Sequence, residues 1–260
     1  MATSALLARV GEVPVLSASG TGLDDADLVL VRSLPGGSLE QVIFRVDALH
    51  VLEALGVRVV NPVRSLERTI DKFLTSKLLD LHGIPTPKTV VAQSIDEAMD
   101  AFRRLGDAVV KPLFGGQGVG MVRVTEADLA WRAFKALELG RSIYYVQEFI
   151  PHGNEDLRVL VISGTVVSAI VRRGETWKTN LAQGASAIPW TPDATVTNLS
   201  LRATEAVGAI YAGVDLLRGH SGRWYVTEVN GIPGWQGLQA ATRVDIAQAL
   251  VDAIIPVRTI

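Results

Sequence analysis

From Leu157 to Val171 the chain is apolar almost without a break, and this stretch constrains the fold most. Arg158 falls inside it, and Ser163-Gly164-Thr165 turns it back on itself. A bilayer span needs about 18 or more uninterrupted apolar residues, so the stretch reads as a buried hairpin. A hairpin this apolar needs cover, and the 260 residues with 48% apolar and only 20% charged side chains can supply it. The formal charge of −2 gives no basic excess for wrapping a nucleic acid. There is no cysteine, which removes disulfides, thiolate metal sites and a cysteine nucleophile together. Arg9 and Glu12 interrupt the N-terminus before a signal-peptide core can form. A cytoplasmic protein is expected.

Glycine and proline divide the rest into α/β units. In the first, Leu28 to Val31 is a strand. A helix follows from about Glu40 to Leu55, with Ile43, Val46, Leu49 and Leu52 on one face, and then a strand from Val57 to Val60. A second helix is predicted from Leu66 to Leu81, ending at Gly83 before Pro85 and Pro87. The second unit has strands at Thr89–Ala92, Ala108–Pro112 and Met121–Val124, and helices at Asp96–Leu105 and Asp128–Leu139. The third opens at Ile143–Ile150 and contains the apolar hairpin and a polar segment from Gly174 to Trp190. It continues with a helix from Asn198 to Ala212, strands at Val214–Leu217 and Trp224–Val229, and a last helix from Val244 to Ile254. The expected domains are 1–83, 84–145 and 146–260.

Four local patterns carry chemistry. Glu228 and Asn230 lie two apart on a strand and so face the same side. A turn at Gly219 to Gly222 would bring Asp215 opposite or next to Glu228. Three oxygen donors then converge, as a hard cation such as Mg²⁺ requires; alone, a solvated hairpin accounts for the same residues. Second, Lys111 ends a strand and opens into Phe114-Gly115-Gly116-Gln117-Gly118-Val119-Gly120, where glycine lets backbone N–H groups approach a phosphate. No Gly-Lys-Ser/Thr follows, and the next element is a strand, so neither a Walker loop nor a Rossmann fingerprint is present. Third, Gln147-Glu148-Phe149 ends a strand beside Gly153-Asn154-Glu155-Asp156 and could offer polar groups to an adenine and a ribose. Fourth, Arg172 should emerge within a residue of Asp156 across the hairpin, followed by Lys178-Thr179-Asn180. Arginine holds carboxylate or phosphate through paired hydrogen bonds. The histidines, His50, His82, His152 and His220, are scattered and read as surface residues.

In this order the motifs resemble the ATP-grasp superfamily and, within it, the RimK-type α-L-glutamate ligases. The resemblance runs from about Val57 onward. Its most specific part is Gly213-Val214-Asp215 through Glu228-Val229-Asn230-Gly231-Ile232-Pro233-Gly234, and Arg68 to Lys72 looks like a lysine-bearing nucleotide helix. The resemblance implies an α/β (α+β) ATP-grasp fold, with an N-terminal pre-ATP-grasp domain and two subdomains clasping ATP. It implies that Lys72, Lys111 and the loop glycines Gly116, Gly118 and Gly120 meet the phosphates. Glu148 and Phe149 would line the adenine site, with Asp156 on the ribose and Lys178, Thr179 and Asn180 closing on the nucleotide. Arg172 would take the catalytic contact to the transferred phosphate, and Asp215, Glu228 and Asn230 would hold Mg²⁺, with Mn²⁺ as a possible substitute. The implied reaction makes an acyl phosphate from a carboxylate and ATP, which an amine such as that of glutamate then displaces.

The segment from Gly36 to Arg45, with Gly234-Trp235-Gln236-Gly237-Leu238, is similar to members associated with tetrahydromethanopterin formation. The implied partners are ATP, L-glutamate and a small-molecule carboxylate acceptor, with no nucleic acid and no membrane, in a homo-oligomer. Ribosomal-protein and carrier-protein ligases, and an ATP-grasp phosphotransferase, are the alternatives. The start departs from the family: only a remnant of its strand-helix-strand unit fits into Met1 to Leu16, so a shortened N-terminal domain is expected.

Overall fold

The computed structural model describes residues 5–116 and 118–255. The first four residues of the Met1–Leu16 remnant, and Gln117 of the glycine loop, lie outside the described residues.

The chain opens with a small antiparallel sheet of β1 (Leu6–Ala8), β2 (Leu16–Ala18) and β3 (Thr21–Gly22). Next come β4 (Leu28–Leu30), α1 (Leu39–Ala54) and β5 (Arg58–Val60), a β-α-β crossover whose strands pair in parallel from Leu28↔Arg58 to Leu30↔Val60. Ser38 and Gln41 form a capping box at the start of α1. The buried side of α1 is Arg45, Ala48, Leu49 and Leu52, whereas Ile43, expected on that face, is exposed. Arg45 takes the place of an apolar residue because its Nη1 donates to the Pro35 carbonyl at 2.7 Å and the Gly36 carbonyl at 3.2 Å.

The single helix expected from Leu66 to Leu81 is two, α2 (Val63–Ile70) and α3 (Lys72–Leu81). Asp71 causes the break. Its backbone is extended, and its Oδ1 caps the N–H groups of Phe73 at 2.8 Å and Leu74 at 3.0 Å. The break puts Lys72 in the first turn of a new helix, aimed at the cleft.

A four-stranded antiparallel sheet follows, built from β6 (Thr89–Ala92), β7 (Ala108–Lys111), β8 (Val122–Val124) and β9 (Tyr144–Glu148) in the order β6-β9-β7-β8. Helices α4 (Ile95–Leu105) and α5 (Ala127–Leu139) cover it through Met99, Phe102 and Phe134. Because β9 belongs here, this unit runs to Glu148, past the boundary expected at residue 145.

The last unit is a five-stranded antiparallel sheet of β10 (Glu155–Ile162), β11 (Thr165–Arg173), β12 (Ser186–Pro189), β13 (Tyr211–Arg218) and β14 (Trp224–Asn230), ordered β12-β11-β10-β13-β14. Helix α6 (Ala194–Val207) lies on one face with Val159 and Val161 of β10. Helices α7 (Gln236–Thr242) and α8 (Ile246–Ile254) pack on the other with Leu160 and Ile162. Successive side chains of β10 thus enter two different cores, which is why the hairpin is apolar at nearly every position. Strand β12 and helix α7 were not foreseen. Helix α6 begins and ends four or more residues before the expected bounds, because Asp193 caps it and Gly208, at φ +73°, ends it.

Asn61 ties the first unit to the last. Its Nδ2 donates to the carbonyls of Tyr211 at 2.8 Å and Gly231 at 2.6 Å, and its Oδ1 accepts from the N–H groups of Ile210 and Tyr211. Among the described residues no helix is long and apolar enough to cross a membrane.

Candidate active site

A cleft lies where the ends of the four- and five-stranded sheets face each other. Lys111 comes to it from the end of β7 and Lys72 from the start of α3. Glu148 and Phe149 come from the exit of β9, Asp156 from β10, Arg172 from β11, and Asp215 and Glu228 from β13 and β14. Lys178, Thr179 and Asn180 follow β11 and close one side. Residues more than a hundred positions apart in sequence thus share one cavity.

Pairing on the sheet explains the convergence. Asp156 is paired with Arg172, and Asp215 with Glu228. A bulge follows Asp215, since Leu216 already pairs with Val226. Asn230, two residues beyond Glu228 and opposite Gly213, points to the same face but does not line the cleft wall itself.

The cationic side is costly to maintain. Lys72 Nζ donates to the carbonyls of Gly115 at 2.5 Å and Leu113 at 3.4 Å. Burial lowers its pKa, and Glu228 and Asp71 offset part of that. Lys111 Nζ donates to Gln147 Oε1 at 2.6 Å, and burial lowers its pKa to about 8 against the opposing pull of Glu228. Gln147 is fixed in turn, donating to Thr89 Oγ1 at 2.9 Å and Tyr145 Oη at 3.0 Å, with Tyr145 Oη 2.8 Å from Ser76 Oγ. Neither lysine has a carboxylate in ion-pair contact among the described residues, and Glu228 has no hydrogen-bond or ion-pair partner there. Two desolvated ammonium groups facing one unpaired carboxylate form a site built for polyanionic oxygen together with a cation.

Arg172 lies at the centre of a buried charge network. It grips Asp156 through Nε at 2.7 Å and Nη2 at 2.6 Å, and its Nη2 also reaches Asp215 Oδ2 at 3.0 Å. Thr179 Oγ1 donates to Asp156 Oδ2 at 2.6 Å. Burial opposes the charge on Arg172, but Asp215 and Asp156 outweigh it and raise its pKa. Both oxygens of Asp156 are therefore engaged. It positions Arg172. Asp215 is engaged as well, by Arg158 and Arg172. Burial alone would raise its pKa, but Arg158 and then Arg172 hold it below the usual carboxylate range.

Phe149 is sandwiched rather than free. Arg123 lies 3.6 Å over its ring, and Trp177 meets it edge-on at 6.0 Å. The N–H groups of Glu148 and Phe149 already donate to the carbonyls of Lys88 and Asp107, so among the described residues the first unspent backbone donor at this strand end is that of Ile150. The glycines Gly116, Gly118 and Gly120 do not line the cleft wall. Gly118, at φ +72°, is required because a Cβ there would run into Asn180 Oδ1, and Gly120, at φ +75°, packs on Pro112. Lys178 is half-exposed, with its ammonium 5.5 Å from the Trp177 ring. His152 is buried in the cleft, not on the surface. Its Nδ1 lies 2.9 Å from the Glu155 carbonyl, and burial lowers its pKa.

Arg158, bound to Asp215, is the side chain at the site to which sequence reasoning gave no role. Arg158 stands two residues after Asp156, and that period-2 spacing was the available signal.

The profile of the RimK-like ATP-grasp domain matches residues 69–254. The chain belongs to the RimK-like ATP-grasp family. Membership makes it an enzyme of the ATP-grasp ligase class. It is 40% identical over 240 residues to the tetrahydromethanopterin:alpha-L-glutamate ligase of Methanocaldococcus jannaschii, covering 90% of this chain and 80% of that one. It is 31% identical over 210 residues to the alpha-aminoadipate–LysW ligase LysX of Sulfolobus acidocaldarius, covering 78% and 76%. Among solved structures the ATP-grasp ligase PsnB, complexed with its minimal precursor, superposes with a TM-score of 0.71 at 22% identity, covering 95% of this chain and 85% of that one. At that identity the likeness speaks for the fold, which is the ATP-grasp fold expected from the motifs.

Proposed function

We propose that the protein is an ATP-dependent carboxylate–amine ligase that adds L-glutamate to the carboxylate of a small, tetrahydromethanopterin-type acceptor. The observation that carries this reading is the cleft that Lys72, Lys111 and Arg172 share with Glu228, whose side chain makes no hydrogen bond or ion pair among the described residues. The similarity to ligases named for tetrahydromethanopterin supports the acceptor, at 40% identity against 31% for the LysX type. The reading includes the pre-ATP-grasp unit and two clasping subdomains, a cytoplasmic location and a homo-oligomeric state.

The donor set fits a divalent ion: two carboxylates in register, one of them unpaired, and an amide two residues on. Asp215, Glu228 and Asn230 would hold Mg²⁺, with Mn²⁺ able to replace it. When bound, the ion neutralises charge on the phosphate oxygens. Lys72 and Lys111 bind the ATP phosphates, and Arg172, clamped by Asp156, stabilises the transferred phosphoryl group. An acceptor carboxylate oxygen attacks the γ-phosphorus and ADP leaves. The glutamate nitrogen then attacks the acyl carbon, and phosphate departs with that carboxylate oxygen. No protein nucleophile is needed.

The test is mass spectrometry on candidate pterins, flavin-type coenzymes and peptide C-termini incubated with ATP, Mg²⁺ and L-glutamate. A gain of one glutamyl unit, with ADP and free phosphate released only when both substrates are present, is expected. ADP formed without an amine, leaving a stable phosphorylated product, would make the protein a phosphotransferase.

A further inference from the structure

Arg158 is not among the side chains lining the cleft, yet it holds one of them, Asp215, through a paired contact. It stands directly opposite Asp215, with Nε on Oδ1 and Nη2 on Oδ2 at 2.7 Å. Arg172 reaches the same carboxylate, so one negative charge faces two guanidinium groups. Their positions differ. Arg172 also has Asp156, itself held by Thr179, whereas Asp215 is the sole hydrogen-bond and ion-pair partner of Arg158 among the described residues. Gly213 leaves room beside it: a Cβ there would lie 3.2 Å from Arg158 Cδ, 3.3 Å from its Nη1 and 3.0 Å from Pro233 Cβ, so these neighbours would have to give by a few tenths of an ångström.

A divalent ion reaching Asp215 would have to share its oxygens with Arg158 and Arg172, and it would meet Arg158 as a like charge. We infer that Arg158 is a displaceable internal cation. It occupies Asp215 in the free protein and yields that carboxylate when the divalent ion arrives with the nucleotide, while Arg172 stays on Asp156. The exchange keeps the buried carboxylate neutralised before and after, which an empty pocket would not do. It also makes Asp215 a poor ligand until nucleotide phosphates add their own affinity for the ion. Arg158 is thus a positioning residue, acting through Asp215. This inference rests on Asp215 being a cation ligand, as in the proposed function.

The experiment is Mn²⁺ titration followed by electron paramagnetic resonance, in the presence of ADP, on the full chain. The proteins are wild type, Arg158→Gln, Arg158→Lys and Asp215→Asn, each checked for fold by circular dichroism. Removing one charge-assisted contact should tighten Mn²⁺ binding roughly tenfold or more in Arg158→Gln. Arg158→Lys keeps the charge but loses the paired fork, and should fall between Arg158→Gln and wild type. Unchanged or weaker Mn²⁺ binding in a folded Arg158→Gln overturns the exchange, as a purely structural arginine would give. If Arg158→Gln does not fold, the lysine variant decides: tighter binding supports the exchange, and unchanged binding overturns it. Asp215→Asn that binds Mn²⁺ as well as wild type would instead remove Asp215 from the metal site, a failure of the underlying reading and not of the exchange alone.

Discussion

Lys111→Met should leave the protein as stable as before, or make it more stable, while removing most of its affinity for ATP. A lysine whose pKa falls from 10.5 to about 8 carries a penalty for its charge of about 3 kcal/mol at neutral pH, an upper figure because part of its stem still touches the cleft. Methionine removes that penalty but deprives Gln147 Oε1 of its donor at 2.6 Å, which costs about 1–3 kcal/mol. The net change lies between about zero and about 2 kcal/mol of added stability. The pH dependence carries the same signature with a definite sign. Between about pH 8 and 10.5 the unfolded chain binds the extra proton, so the contribution of Lys111 to stability rises with pH across that window and is least favourable below 8. That rise should vanish in Lys111→Met. ATP binding moves oppositely: the variant loses about 10–100-fold, the worth of one charged hydrogen bond, and wild-type affinity falls as pH climbs past 8. Urea denaturation across pH and calorimetric titration with ATP measure both. A loss of more than about 2 kcal/mol of stability, or an unchanged ATP affinity, would make Lys111 a structural residue and refute the reasoning.

Glu228→Gln should abolish Mg²⁺-dependent turnover while the melting temperature holds, because the Glu228 side chain has no hydrogen bond or ion pair to lose among the described residues; wild-type rates would exclude it from the metal site. Gly118→Ala places a Cβ against Asn180 Oδ1 at a backbone angle that alanine resists, so KM for ATP should rise several-fold; an unchanged KM would separate that contact from nucleotide binding. Thr179→Val removes one hydrogen bond from Asp156 and should cost about 1–2 kcal/mol in a denaturant melt, with a lower kcat as Arg172 loosens; a neutral result would mean the Arg172 fork alone suffices. Asn61→Ala strands two carbonyls and two N–H groups around Tyr211 and Gly231 and should cost about 3 kcal/mol or more; under 1 kcal/mol, water would have to replace it.

The residues that met in the cleft were legible where strand periodicity set their facing. Asp156 with Arg172, and Asp215 with Glu228, follow from two tight turns and a period of two. The apolar hairpin was legible for the same reason, though only the packed structure explains why both of its faces are apolar. Asp71 hid a helix break, because a capping aspartate in an otherwise helical pattern reads as one more polar residue. Asp193 and Gly208 set bounds for α6 that periodicity alone misplaced. His152 was misread as a surface residue, because burial is not visible in an isolated histidine. A sequence gives an aspartate no sign that Arg172 and Thr179 both hydrogen-bond to it. Arg158 was overlooked inside an apolar run, where its partner lies 57 residues away.

The central claim is that a carboxylate is activated as an acyl phosphate and captured by an amine. Its most direct measurement uses a tetrahydromethanopterin-type acceptor labelled with ¹⁸O in its carboxylate, incubated with ATP, Mg²⁺ and L-glutamate. One labelled oxygen should appear in the released phosphate, in step with ADP and glutamylated product. Product formed with wholly unlabelled phosphate, or a phosphoryl group remaining on the acceptor, would contradict it.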